Sequence, residues 1–583
     1  MPDANGEDPS TMTLPTATTP KRRRFTGRRW GTAVAVIALV AAGCSTAEET
    51  PTIGYAIDNA VTTYNAGSAA GAATGASAAF ARTLTGFAYP GPGGAAVADT
   101  DFGTAELLPG DQQTVRYTID PAATWSDGTA ITCDDLLLTW ATRSGRIRDP
   151  QAPLFTPAST AGYADIETLD CAAGTKEAIA VFDTNRGFRN WGQLFGAGDI
   201  MPAHVAGRES GVTDVVGAIR GADPAVLRPL AEFWNTGWTL IPGQVDPNRF
   251  PSSGPYRIES YTEQDGLVLV ANTAWWGLPP EVPRIVIWPH GTDLPPKVDA
   301  GTVQVIDASG SPVTAAGFTA TTQPSLAVEQ LIFTEEGVLA NPAVRRAVAL
   351  CVPRADLYSR FGRVDPAPTV GLGSGPVDTR LMPPGSVLDS AVGAASVGDR
   401  YSDPDIDAAI AALASANVTA PTIRIGYLGP DQRRADEVSA IADACAPAGI
   451  TIVDASAPDF AAVAPVEPRA DIVLGAVGGD QGASGSAEPD RARAALRTGE
   501  SINLGGYSNE RVSTIIDILG VNNSDQAQLD LGTEAERILW DQMPTLPLFA
   551  DVRTTEVADA VSGVLFNPAG IGAGWNMDRW RLN

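Results

Sequence analysis

The stretch from Tyr117 to Trp140, YTIDPAATWSDGTAITCDDLLLTW, constrains the fold more than any other part of the chain. Val115, Tyr117 and Ile119 alternate with Arg116, Thr118 and Asp120, the period-two pattern of a half-buried strand. Pro121 ends that run. Ser126-Asp127-Gly128 reads as a turn, because Asp can bond its own backbone and Gly accepts a positive φ. Thr132 stands three residues before Asp135. That capping-box spacing brings a hydroxyl to an orphan amide and an acid to the positive end of a helix, with Leu136 and Trp140 on one face.

The chain has 583 residues, enough for two or more large lobes. Hydrophobic residues are 44% and charged residues 18%, a globular composition and not a disordered one. The net charge of -27 argues against nucleic acid as a partner, since phosphate binding needs a basic face. At the N-terminus Lys21, Arg22, Arg23, Arg24, Arg28 and Arg29 precede a short apolar run, residues 31–42. The run is too short to span a bilayer comfortably and reads as the core of a signal peptide. It ends in Ala41-Ala42-Gly43-Cys44, which resembles a lipobox, although Leu is usual where Ala41 stands. The expectation is cleavage before Cys44 and acylation of its thiol; a plain secretory signal is the other reading. Translation would start at Met1 or Met12.

The remaining cysteines are Cys133, Cys171, Cys351 and Cys445. An even number in an exported chain suggests two bridges. Pairing within lobes, Cys133–Cys171 and Cys351–Cys445, is the natural choice among three connectivities; buried free thiols are the alternative. Further along, Asn341-Pro342 starts a helix in which Val344, Ala347, Val348 and Cys351 share a face. Residues 422–428 and 450–453 read as strands around a helix whose face carries Val438, Ile441, Ala442 and Cys445, and Asp471 begins another strand. That order predicts a parallel sheet with a right-handed crossover. The Gly/Ala/Ser-rich residues 66–81 read as a closely packed helix or a loose linker.

The order of residues in the opening stretch closely resembles the signature of the family 5 extracellular solute-binding proteins, the peptide- and nickel-binding components of ABC importers. Met201-Pro202-Ala203-His204, Ser253-Gly254-Pro255-Tyr256, Asn272 with Trp275, Trp276 and Pro279, Gly506-Tyr507-Ser508-Asn509 and Pro544 to Phe549 resemble further elements of that family. The resemblance implies an α/β, two-lobed periplasmic-binding-protein-like fold of type II with an extra subdomain and a hinge of two crossovers, near residues 328–333 and 545–549. The implied organisation is an N-terminal extension and signal over 1–43 and a tether over 44–50. A first lobe follows from 51–328 and 546–583, with an inserted subdomain at about 86–204, and a second lobe from 329–545.

The resemblance also implies a solute held between closing lobes, a peptide by default, with ABC permease subunits as partners and the membrane contacted through lipidated Cys44. By position Asp480 would pair with a peptide ammonium, although Val477, Gly478 and Gly479 stand where an aromatic platform is usual. Trp275 and Trp276 would line the cleft or simply pack. Tyr117, Trp125, Asp127, Gly128, Thr132 and Asp135 are expected to be scaffold. A narrower resemblance, to the actinobacterial LpqW type of envelope lipoprotein, offers a second reading in which a phosphatidylinositol mannoside or related glycolipid is bound without transport. No enzyme is expected. His204 and His290 are the only histidines, and neither a nucleophile elbow nor a phosphate loop is present, so no metal, cofactor or catalytic residue is assigned and the expected state is a monomer.

Overall fold

In the computed structural model the opening stretch folds as its local chemistry dictates. Val115, Tyr117 and Ile119 are buried on one face of a strand. Gly128 takes φ +89°, as the turn requires. Thr132 caps a helix, α1 (Cys133–Arg143), in a complete capping box: Asp135 Oδ2 accepts from Thr132 N at 2.8 Å while Thr132 Oγ1 accepts from the first-turn amides. The structure describes residues 50–150, 152–309, 316–368, 371–462, 469–477, 493–522 and 524–583. Cys44, the signal peptide and Asp480 lie outside them.

β1 (Thr52–Ile57) opens the described chain. A separate antiparallel sheet follows, made of β2 (Gly103–Leu108), β3 (Thr114–Ile119), β4 (Ile166–Asp170) and β5 (Glu177–Phe182) in the order β2-β3-β5-β4. This sheet and α1 occupy the stretch expected to be an inserted subdomain. The chain then lays down β6 (Tyr256–Thr262), β7 (Gly266–Ala271), β8 (Arg284–Trp288), β9 (Val305–Ser309) and the long β10 (Phe318–Phe333). After α2 (Pro342–Cys351) come β11 (Thr422–Gly426), α3 (Gln432–Cys445), β12 (Thr451–Asp454) and β13 (Ile472–Val477). α4 (Asp525–Gln542) leads into β14 (Thr545–Ala558).

Ten strands form one mixed sheet, ordered β12-β11-β13-β10-β14-β9-β1-β8-β7-β6. β11 pairs in parallel with both β12 and β13, the arrangement the strand–helix–strand spacing predicts. Strands β10 and β14 lie antiparallel at its middle and carry the chain between two hydrophobic cores. One core gathers β1, β3, β5 to β8 and α1; the other gathers β11, α2, α3 and the second half of β10. The crossover strands are longer than the two short segments expected, because their threonine-rich ends also pair, from Phe318↔Ala558 to Pro324↔Val552.

Bonds Cys133–Cys171 and Cys351–Cys445 close loops of 38 and 94 residues. The small-residue segment forms two short helices, Ala69–Ala72 and Ala76–Ala79. Close packing explains its composition: a Cβ on Gly71 would lie 2.0 Å from Asn65 O.

The middle of the sheet carries a buried charge cluster. Glu329 on β10, Asp551 on β14 and Glu437 on α3 are all fully buried around Arg433 and Arg434. Arg433 Nη1 meets Glu437 Oε1 at 2.9 Å, and Arg434 Nε meets Glu329 Oε1 at 2.9 Å. Three acids thus share two guanidiniums, and Glu437 Oε2 has no hydrogen-bond partner. Burial pushes the Glu437 carboxyl up to about 8, with Glu329 adding to the shift and Arg433 opposing it. The folded chain holds this proton, whereas the unfolded chain releases it near its ordinary pKa. Stability therefore falls as pH rises from about 4.5 to about 8, by an amount on the order of a few kcal/mol. Glu437→Gln keeps the shape without the charge. It is expected to flatten that fall and to raise the melting temperature at pH 8, as read by calorimetry between pH 5 and 8.

Candidate functional site

The site is built where the cores face each other across the ends of β1 and β13. Asn59, just past β1, and residues 72–74, at the end of a short helix held by Ser68 as its cap, form one wall. Tyr427 and Leu428 past β11, Phe460, Arg434 of α3 and residues 473–476 of β13 form the other. Together they line an open recess between the two walls.

The backbone geometry of β13 gives the recess its character. β11 accompanies β13 only at Ile425↔Ile472 and Gly426↔Val473. Beyond Val473 this edge of β13 has no strand partner among the described residues. Gly475 lies on that edge, and a Cβ there would meet nothing within 4 Å. An open strand edge presents a row of backbone donors and acceptors, a template for another extended chain.

Charge in the recess is satisfied from within. Arg434 is held by Glu329, so its guanidinium is compensated. The Tyr427 hydroxyl donates to Asp454 Oδ2 at 2.7 Å, and burial followed by that carboxylate raises the phenol's pKa. Asp454 itself sits below the usual carboxylate range: burial opposes this, but the Ser456 amide and Tyr427 hydroxyl outweigh it. Two contacts bridge the walls outside the recess. His290 Nε2 lies 3.2 Å from Gly429 O, and Thr160 Oγ1 donates to Glu500 Oε1 at 2.5 Å. Beside the second, Ala72, Ala158, Ala494 and Ile502 pack together across the same boundary. These contacts join the two walls beside the recess.

Trp275 and Trp276 stand against one another with ring centroids 4.5 Å apart. Their indole N–H groups donate to Leu278 O and Asp101 O, and neither lines the recess. Tyr117 donates to Trp191 O, Trp125 is fully buried, and Asp127 meets His204 Nε2 at 2.8 Å. These residues build the first lobe and lie apart from the recess. Sequence reading missed Asn59, Tyr427, Phe460 and Gly475. The break between residues 422–428 and the strand beginning at Asp471 was the available signal for Tyr427; Asn59 and Phe460 carry none.

A family model described as bacterial extracellular solute-binding proteins, family 5 Middle, matches residues 240–486. An uncharacterized lipoprotein of Mycobacterium tuberculosis is 40% identical over 575 residues, covering 97% of this chain and 99% of that protein. Among solved structures, the periplasmic EDTA-binding protein EppA superposes with a TM-score of 0.70 at 22% identity, over 91% of this chain and 97% of that one. The oligopeptide-binding protein AppA from Bacillus subtilis, in complex with a nonapeptide, superposes with a TM-score of 0.68 at 12% identity, over 92% and 99%.

Proposed function

From the premise that this chain belongs to the family 5 extracellular solute-binding proteins, we propose that it captures an extended peptide or similar solute between its two lobes and delivers it to the permease of an ABC importer. One observation carries the reading: among the described residues the edge of β13 beyond Val473 has no strand partner, and Gly475, with open space where a Cβ would stand, lines the interlobe recess. A peptide added there gains main-chain hydrogen bonds whatever its sequence, and the two walls close over it. The neighbours' solutes, a nonapeptide and EDTA, are chemically unlike, so the choice of a peptide rests on the strand edge and not on likeness of fold. No reaction is assigned to the chain.

Native mass spectrometry of protein purified from its own membrane, together with titration by pentaalanine, tests the reading. A retained peptide and saturable pentaalanine binding are expected; a retained glycolipid with no peptide binding would overturn import in favour of an envelope role. Gly475→Trp fills the recess from a position with open space. It is expected to weaken pentaalanine at least tenfold while leaving the melting temperature within a few degrees.

Anchoring is proposed through Cys44, with the mature protein on the outer face of the cytoplasmic membrane. With residues 1–43 removed the chain keeps a net charge of about -30 and is not drawn to anionic headgroups, so the acyl chains must hold it. No helix among the described residues is long and apolar enough to cross a membrane. Cys44→Ala is expected to move the protein from the membrane pellet to the soluble fraction; persistence in the pellet would exclude acyl anchoring.

A further inference from the structure

Beside the recess lies a second, smaller space, formed within the second lobe on one face of the crossover strands. The alternation of β10 creates it. Val328, Gln330 and Ile332 face this space, while Glu329 turns to the charge cluster and Leu331 to the core. Leu326, Met382, Leu504 and Pro547 complete walls that are apolar nearly throughout. Arg380 reaches the floor, but its charge is already met: Nη1 contacts Glu536 Oε2 at 3.0 Å, and Nε and Nη2 donate to Thr545 Oγ1 and O at 3.0 and 2.6 Å. A neutral group is therefore favoured here over a charged one.

Gln330 breaks the apolar pattern. It is only 7% exposed, it lines the chamber, and its side-chain amide has no hydrogen-bond partner among the described residues. Its amide nitrogen and oxygen open onto the chamber and offer a donor and an acceptor to whatever enters it. A peptide group satisfies both ends at once. The chamber also shares a wall with the recess: Ile332 packs against Val473 and Phe460, which line the other side.

We infer that this chamber takes a large uncharged side chain of the solute, of leucine or phenylalanine type, with Gln330 bonding the peptide group that carries it. The inference rests on the reading of the cleft as a peptide site and adds a specificity to it. Discrimination between leucine and alanine should follow, since the walls offer apolar contact to the longer side chain alone.

The test uses N-acetyl-L-leucinamide and N-acetyl-L-alaninamide as minimal probes, titrated against the whole protein by calorimetry or saturation-transfer NMR. The leucine probe is expected to bind at least tenfold more tightly. Val328→Phe, which fills the chamber from a half-buried position, is expected to remove that preference. Gln330→Leu is expected to weaken the leucine probe at least fivefold while raising the melting temperature, an opposite pair of effects that a merely structural role would not produce. Gly475→Trp should leave the leucine probe bound while pentaalanine is lost; pentaalanine binding that survives this substitution would discredit the cleft reading and not the chamber. Equal affinity for the two probes, preference surviving Val328→Phe, or tighter binding of decanoate than of the leucine probe would overturn the inference, the last by marking an acyl-chain site.

Discussion

Replacing Glu536 by alanine is expected to lower the stability of the second lobe by about 3–5 kcal/mol, the usual result of stranding one member of a buried ion pair. Glu536 lies on α4, fully buried, and Arg380 opposite it is 2% exposed. Both carboxylate oxygens are engaged. Oε1 accepts from the Arg380 and Leu381 amides, and Oε2 from Arg380 Nη1 at 3.0 Å. Removing the acid leaves two backbone donors unmet as well as a guanidinium stacked 4.1 Å over the Trp540 ring. Glu536→Gln, which keeps acceptor geometry but not charge, should cost less. The double change Glu536→Ala with Arg380→Leu should regain part of the loss, because no charge is then left buried. Urea unfolding followed by near-ultraviolet dichroism, with hydrogen exchange to assign the loss to α4 and β14, measures it. A cost below about 1 kcal/mol would mean that water reaches Arg380, contrary to the burial that the structure shows.

What could be read in advance divides by range. The capping box of Thr132 and Asp135 and the Asn341-Pro342 helix start depend on neighbours in sequence, and both formed as expected. The parallel strands around α3 follow from spacing alone. The charge cluster was illegible: Glu329 meets Arg434 across 105 positions, in a chain whose 67 acids offer too many pairings to choose among. Its one local trace is the four-residue spacing of Arg433 and Glu437 on a helix. Gln330 was hidden for a related reason. A glutamine between Glu329 and Leu331 in a strand pattern looks solvent-facing until β14 covers it on one side and β13 on the other. The family signature fixed attention on residues 117–140, which proved to position the first lobe, whereas the recess is assembled from loop ends with no pattern of their own.

Conversion of both Cys351 and Cys445 to alanine is expected to cost about 4–5 kcal/mol, close to the loop-closure value for a span of 94 residues. Both residues are fully buried, at the last turns of α2 and α3, with their Cα atoms 4.9 Å apart. The shorter Cys133–Cys171 loop of 38 residues should be worth about 4 kcal/mol, slightly less. The effect on function should be unequal, for a geometric reason. α3 carries Arg433 and Arg434, which hold the crossover strands through Glu329 and Asp551, and Arg434 also lines the recess. Loosening α3 therefore disturbs both the hinge and one wall of the site. Pentaalanine affinity should fall in the Cys351→Ala, Cys445→Ala protein and stay near that of the parent in Cys133→Ala, Cys171→Ala, whose bond tethers α1 far from the recess. Denaturant titrations of both variants, with and without pentaalanine, separate the two contributions. Stability loss with unchanged affinity in both variants would show that the bridges act on the unfolded chain alone, and that α3 holds its place by packing and charge without the bond.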